Sequence, residues 1–427
     1  MMEPFTIGLL ALGGLLALIA LRVPIGVSLI AVSFLGIWAI AGSRPAMSML
    51  TTIPYSSSAS WTLSSIPMFL LMGYVAYHSG LTRGLFEAAR VWWGWMPGGL
   101  AIASLVGASG FAAVSGSSVA CSAAIGRIAI PEMARQGYDI RIATGSVAAG
   151  GTIGALIPPS IILILFGIQS NSSINALFFG GLIVGLASLA FYIAAVLVVW
   201  WRNPARLPKA PPYTMGDRWA KTLEIWPVLV LIVAVLGGLF GGFLTATEAG
   251  AFGAFVAILI GLARRTLTWA GFRESLIDTL LSAGGLFIIA IGANLFTRLV
   301  AMSGLSAEIG DLVAGLGLGT MGLLLLITLI YLALGMFLEP IGALLLTLPL
   351  FLPLVQAHGV DVIWFGLLVA KLLEIGMITP PVGLNVFVIH SVARDYARLE
   401  QVFAGIMPFV IADLALVAVM ILTRPLF

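Results

Sequence analysis

Polar residues are sparse along this chain, so the apolar runs mark out its elements. Runs of membrane-crossing length cover about Phe5–Leu21, Pro24–Gly42, Trp61–His78, Asn175–Trp201, Ile225–Phe243, Thr247–Ala263, Ser275–Val300 and Gln401–Thr423. Each predicts a transmembrane helix. Between His78 and Asn175, and again between Val300 and Gln401, Gly, Ser and Pro interrupt the apolar pattern at short intervals. The first interruption, Phe111-Ala-Ala-Val-Ser-Gly-Ser-Ser-Val119, predicts a helix, a tight tip at Ser115–Ser118 and a returning helix. Such a re-entrant hairpin is tolerated at membrane depth when it packs inside protein.

A second pattern occurs twice. Residues 153–160 read IGALIPPS and residues 375–382 read IGMITPPV, so Pro158 and Pro380 stand 222 positions apart (380 − 158). The same shift carries the first tip onto Phe337-Leu-Glu-Pro340, with Leu323–Leu334 and Ile341–Val355 as the arms of a second hairpin. A double proline inside an apolar run removes backbone donors and clashes with the preceding turn, so each helix must break. In hydrocarbon a break survives only where the freed groups line a cavity or are buried in protein. Paired breaks at matching places in two halves point to the binding site of a secondary transporter. At each break the second half-helix is expected to carry proline in its first turn, after unwound stretches at Gly154–Ile157 and Gly376–Thr379.

The predicted fold is an all-α integral membrane protein of two inverted-topology repeats, residues 1–205 and 225–427, joined by a polar, Pro-rich cytoplasmic link at 206–224. Ahead of each hairpin lies a shorter piece, Leu81–Trp95 with Arg83, Glu87 and Arg90, or Leu305–Leu316 with Glu308 and Asp311. Both are expected to lie in the membrane interface with their charges toward water; ordinary loops are the alternative. With the N-terminus outside, the inner loops collect Arg22, Arg83, Arg90, Arg135, Arg141, Arg202, Arg206, Lys209 and most other basic residues, leaving Arg44, Arg298 and Arg424 outside. That bias sets the orientation and inverts the halves.

Composition narrows the class. Hydrophobic residues make up 61% of 427 and charged residues 9%, which is the balance of a polytopic membrane protein. The acidic start MMEPF does not suit a secretory signal, so the first run is expected to be a retained helix. One cysteine, Cys121, excludes an internal disulfide, and His78, His358 and His390 are too scattered for a transition-metal site. None of the three lysines follows a glycine, so no phosphate-binding GKS or GKT loop is present and direct nucleotide-driven pumping is not expected. The net charge of +3 sits in short loops, which argues for topology rather than nucleic-acid binding. The expectation is a transporter and not an enzyme.

Candidate chemistry lies at the interruptions. Hydroxyls of Ser115, Ser117 and Ser118, with carbonyls of the unwound stretches, are the ligand types of a hard, weakly held cation such as Na⁺. A tight packing tip is the alternative. Glu339, Lys371 and Glu374 are ionisable groups inside apolar runs and hence functional candidates. Lys371 and Glu374, three apart on one helix, are expected to neutralise each other, whereas Glu339 has no local partner. Asn385 is a candidate for hydrogen bonding to substrate or to a neighbouring helix. Arg127 is expected to anchor the base of the first hairpin at the interface, and Trp92, Trp93 and Trp95 to form an aromatic belt. Four helix starts converging at mid-membrane favour an anionic substrate, which would meet Ser117, Ser118, Pro159, Ser160, Pro381 and Asn385.

FAAVSGSSVA, GGTIGALIPPS and EIGMITPPVGLN, in this order and spacing, resemble the large membrane (permease) subunit of tripartite ATP-independent periplasmic (TRAP) transporters. The resemblance covers essentially the whole chain. It implies a Na⁺-coupled symporter of the bacterial inner membrane, importing small organic acids by an elevator mechanism. A transport domain of about 98–172 plus 319–395 would slide against the remaining spans. Two partners are implied: a small four-helix membrane subunit, expected as a separate chain, and a periplasmic substrate-binding protein. Carried over by motif, one Na⁺ site comprises Ser115, Gly116, Ser117, Ser118, Gly151, Thr152, Gly154 and Pro158; the other comprises Gly335, Glu339, Pro340, Gly376, Thr379 and Pro380. The second tip departs from the first in having no hydroxyl, so carbonyls and Thr379 must serve there. The alternatives are a stand-alone dicarboxylate carrier, H⁺-coupled through Glu339, or a pore-like channel.

Overall fold

The computed structural model describes residues 3–82, 84–208 and 213–424. Arg83 and Lys209, both counted above among the inner basic residues, lie outside the described residues. In chain order the α-helices are α1 (Pro4–Ala20), α2 (Ile25–Ala41), α3 (Ser43–Ser58), α4 (Ser65–His78), α5 (Leu85–Trp93), α6 (Gly99–Ser115), α7 (Ser118–Arg135), α8 (Ile140–Thr152), α9 (Ile161–Ser170) and α10 (Ile174–Arg202). The second half contains α11 (Met215–Glu224), α12 (Trp226–Phe240), α13 (Ala246–Ala263), α14 (Trp269–Ser303), α15 (Leu305–Gly315), α16 (Thr320–Gly335), α17 (Pro340–Ala357), α18 (Val362–Gly376), α19 (Leu384–Val392) and α20 (Leu399–Leu422). No strand occurs among the described residues.

Helix limits recur at the offset of the double prolines. Helices α7 and α17 both begin and end 222 residues apart (340 − 118 and 357 − 135). The halves differ where local chemistry differs. Residues 269–303 of the second half form the single helix α14, but the corresponding part of the first half is α3 followed by Thr62–His78, bent by 58°. Helix α3 is an element the apolar pattern did not predict. Its sequence SRPAMSMLTTIPYSSS is rich in Ser, Thr and Pro, and hydroxyls such as Thr51 bond back to the carbonyl one turn earlier. Likewise, the predicted link contains the helix α11, closed at its start by a reciprocal cap between Thr214 and Asp217.

The helices pack in two groups. Helix α2 lies on α14, α13 on α4, and α4 on α14, with α1 and α12 beside them. In the other group α6 and α7 pack on α8, α16 and α17 on α18, and α20 on α8, with α10 against α6, α9, α18 and α20. Glycine permits the closest of these approaches: a Cβ on Gly405 of α20 would lie 2.5 Å from the Arg141 carbonyl carbon of α8.

Helix α5 corrects one expectation. Arg90 does not simply face water; it pairs with Glu87 at 2.7 Å and with Glu132 of α7 at 2.9 Å, tying the arm to the hairpin base. Glu308 and Asp311 of α15 are exposed as expected. Trp92 donates to Thr222 of α11 at 2.8 Å.

The double prolines also lie differently from expectation. They stand in the non-helical connections, and α9 starts only at Ile161, with Ser160 as its cap, while α19 starts at Leu384. A residue before proline is pushed out of the helical region, so the first proline of each pair cannot enter the helix, and the chain needs further residues to turn. Both Pro158–Pro159 and Pro380–Pro381 bonds are cis.

Candidate substrate and cation site

The tip between α6 and α7 is two residues long. Gly116 takes the left-handed conformation (φ 62°) and sits against the Pro159 carbonyl with no room for a side chain. The first tip therefore rests directly on the first break. Gly154 packs on the same tip, since a Cβ there would lie 3.3 Å from the Ser117 carbonyl oxygen, and Gly151 lies beside the Ser118 carbonyl and the Ser122 hydroxyl. Ser117 caps α7 by accepting from the Ala120 N–H.

The second tip is built without hydroxyls. Glu339 caps α17, accepting from the Gly342 N–H at 3.0 Å, and Pro340 follows as the first helical residue. Gly335 meets Gly376 so closely that a Cβ on Gly376 would lie 2.5 Å from the Gly335 Cα. The two tips come together around Glu374. Its Oε2 accepts from the Ser118 hydroxyl at 2.6 Å, which joins the first tip to the second broken helix. A cavity of about 120 Å³ separates the tips, lined among others by Ser117, Ser118, Glu339, Pro340 and Glu374.

Several expected ligands have other partners. The Thr152 hydroxyl donates or accepts with Tyr192 at 2.8 Å and bonds the Ala149 carbonyl, and the Ser160 hydroxyl bonds the Ala155 carbonyl while capping α9. Thr379 donates to the Ile375 carbonyl at 2.6 Å. The first break, Pro158 and Pro159 included, is buried, whereas Pro380 and Pro381 are exposed. Other polar atoms at the site are buried with no hydrogen-bond partner among the described residues: the hydroxyls of Ser115 and Ser122, Oε1 of Glu374, and both amide atoms of Asn385. Ser122 was missed in the sequence, although it lies one helical turn after Ser118 on the same face. Native proteins rarely leave such atoms unpaired, so these atoms are the candidate contacts for a ligand or ordered water.

The expected Lys371–Glu374 neutralisation is not what the fold contains. Lys371 points between α10 and α20, bonding Asp413 Oδ1 at 2.5 Å and the Ser188 hydroxyl at 3.0 Å, with its ammonium 5.2 Å from the centre of the Tyr192 ring. Asp413 Oδ2 in turn accepts from the Tyr192 hydroxyl at 2.7 Å. On α18 a three-residue step leaves the two side chains on one flank, and the partners available there decide their directions. Asp413 was overlooked, although an acid in the middle of the last apolar run is a signal in itself.

The outer face of the first hairpin meets α4 and α14. Between them lies a cavity of about 360 Å³ whose lining includes Ser115, Ser117, Tyr74, Phe111 and Asp278. Tyr74 and Ser282 share a hydrogen bond of 2.7 Å, and His78 bonds Asp278 at 2.9 Å with Glu274 at 3.4 Å from its other nitrogen. Arg127 is exposed and lines an adjoining cavity of about 410 Å³. Among the described residues, no group of three or more His, Cys, Asp or Glu side chains is gathered as for a metal.

Two hairpin tips abutting two broken helices inside an apolar helical protein define a multi-pass membrane transporter fold. The chain belongs to the family described as the tripartite ATP-independent periplasmic transporter, DctM component, which residues 12–426 match. It is 33% identical over 385 residues to the isethionate TRAP transporter permease protein DctMQ of Oleidesulfovibrio alaskensis, covering 89% of this chain and 59% of that protein. It is 32% identical to the sialic acid TRAP transporter large permease protein SiaM of Vibrio cholerae, over 95% of each chain. Among solved structures, the YdaH transporter of Alcanivorax borkumensis shares the fold, with a TM-score of 0.68 over 90% of each chain at 12% identity. The expected resemblance to TRAP large permeases is thus correct.

Proposed function

We propose that this chain is the large transmembrane subunit of a Na⁺-coupled importer of small organic acids, located in the bacterial inner membrane with a periplasmic N-terminus. Its partners are a small four-helix membrane subunit and a periplasmic binding protein that delivers the substrate. The relatives named for isethionate and sialic acid, both small organic anions, support the substrate class. The observation that carries the reading is the meeting of both tips and both breaks around buried oxygens without protein partners.

Those oxygens suit Na⁺. The hydroxyls of Ser115 and Ser122 and Oε1 of Glu374 are hard donors of the kind that hold it weakly, and the carbonyls of Ser117, which also accepts from the Cys121 N–H, and Ser118 can add to them. Bound there, Na⁺ would offset negative charge at the tips. At the second tip the Gly335–Gly376 contact and the carbonyls before Pro380 are the corresponding donors, with Glu339 holding the start of α17. Because Glu339 already caps that helix, its carboxylate has a structural use that a proton-coupled carrier would have to interrupt.

The packing supports a moving body. We assign residues 98–172 and 319–395 to a mobile body in an inverted-repeat elevator. Helices α10 and α20 travel with it, because the Lys371–Asp413 pair and the Tyr192–Thr152 bond tie them to the broken helices. The group formed by α1–α4 and α12–α14 is the scaffold. The test is uptake into proteoliposomes holding both membrane subunits, with the binding protein and its ligand outside. Substrate should accumulate when a Na⁺ gradient alone is imposed, without ATP. Equal uptake in Na⁺-free buffer at a fixed proton gradient would overturn the reading in favour of an H⁺-driven carrier.

A further inference from the structure

The charged side chains lining the two cavities at the hairpin tips are acidic. Asp278 is the one charged residue lining the 360 Å³ cavity, and the 120 Å³ cavity between the tips is lined by Glu339 and Glu374. Basic residues enter one cavity further on, Arg22 in a space of about 510 Å³ that shares Ser282 and Leu286 with the first and Arg127 in another. Arg127, which makes no ion pair among the described residues, lines the 410 Å³ space that shares Tyr77, Phe111 and Ala124 with the first. Around Asp278 the walls are aromatic: Tyr74, Tyr77 and Phe111 all face the same cavity. His78 bonds Oδ2 of Asp278, whereas Oδ1 takes no hydrogen bond from the described residues.

A carboxylate beside several aromatic rings is the environment that attracts an organic cation, most of all a quaternary ammonium group, through ring quadrupoles and direct charge. The same carboxylate repels a second anionic group, so it discriminates by exclusion as well as attraction. We propose that the substrate of this permease is a zwitterion, an organic acid bearing a cationic amine or quaternary ammonium group. The cation sits among Tyr74, Tyr77, Phe111 and Asp278, and the acid group is directed toward Arg127. This rests on the organic-acid importer reading above and names the class within it. Zero net charge on the substrate also eases its transfer through a protein interior of low polarity.

A series of short acids differing in their second charged group tests the proposal. The complex of both membrane subunits, in lipid nanodiscs with Na⁺, is titrated with succinate, 4-aminobutyrate and 4-(trimethylammonio)butyrate, and binding is followed as ligand-induced thermal stabilisation. Both amines should act at concentrations at least tenfold lower than succinate. Asp278→Asn should abolish that preference, Tyr77→Leu should weaken the trimethylammonium compound more than succinate, and Arg127→Gln should weaken both amines. Asp278, Tyr77 and Arg127 are exposed or partly exposed, and an unchanged thermal midpoint of each unliganded variant checks that its folding is intact. Succinate binding as well as the amines, no binding of either amine at millimolar concentration, or an unchanged preference in Asp278→Asn would each overturn the proposal. Na⁺-driven uptake of the binding protein's own ligand, measured in parallel, separates the two failures: its loss counts against the importer, its persistence against the zwitterion alone.

Discussion

Lys371 and Asp413 are both fully buried and lie 2.5 Å apart. Removing one partner strands a charge in the protein interior, which costs about 3–5 kcal/mol, whereas replacing both with apolar groups of similar volume is often neutral or stabilising. Lys371→Met should therefore lower the thermal midpoint of the purified membrane complex strongly, and adding Asp413→Leu should restore most of it. If the double variant is as unstable as the single one, the pair is not what holds α18 to α20. Ser122 makes the opposite kind of prediction. Its hydroxyl is buried without a partner, and removing an orphaned hydroxyl spares a desolvation penalty of about 1–3 kcal/mol. Ser122→Ala should leave stability unchanged or raised, yet increase the Na⁺ needed for half-maximal uptake severalfold. A wild-type Na⁺ titration curve in that variant would remove Ser122 from the cation site.

Among the elements, the seam between the second tip and α18 is the tightest place to probe. A methyl group at Gly376 would meet the Gly335 backbone, which cannot yield as a flexible side chain would. Such overpacking costs about 1–3 kcal/mol, so Gly376→Ala should lower the thermal midpoint and displace the tip. Gly13 in α1 has open space around its Cβ position, and Gly13→Ala should stabilise by about 0.5–1 kcal/mol through helix propensity. Thermal unfolding of the two variants side by side checks both signs. An unaffected Gly376→Ala protein would mean that the tip and the broken helix do not stay in contact.

For the molecule as a whole, the surface that matters lies between α4 and α14 on one side and the first hairpin on the other. A Cβ at Gly73 of α4 would stand 3.2 Å from the Ser115 Cα at the tip, close enough for a disulfide between cysteines at the two positions. Buried Cys121 is first replaced by Ser. In that background Gly73→Cys with Ser115→Cys should crosslink on oxidation and lose uptake at saturating Na⁺, and reductant should restore the level of the same double variant before oxidation. A crosslinked complex that still transports would show that these helices do not slide, as in a rigid pore.

The membrane class, the eight long apolar runs, the two hairpins and the two breaks were all legible in the sequence. Water and hydrocarbon sort residues by polarity, and each double proline interrupts its helix, although single prolines such as Pro131 and Pro353 stay inside α7 and α17. The shortcomings have one physical cause. Helices such as α18 are buried almost all round, so no amphipathic face announces which neighbour each side chain meets. Lys371 meets Asp413, 42 residues away, instead of Glu374 in the next turn, and Glu374 takes the hydroxyl of Ser118, 256 residues away. Ser160 and Thr152 look like ligands by composition, but they are occupied by a helix cap and by Tyr192. Helix α3 was hidden by its Ser, Thr and Pro content because only packing overrides weak local propensity. Sequence alone determined which segments are apolar and where the double prolines interrupt them. The tertiary structure decided which buried polar groups satisfy one another and which are left for an ion or a substrate, because such pairing depends on contacts between helices far apart in the chain.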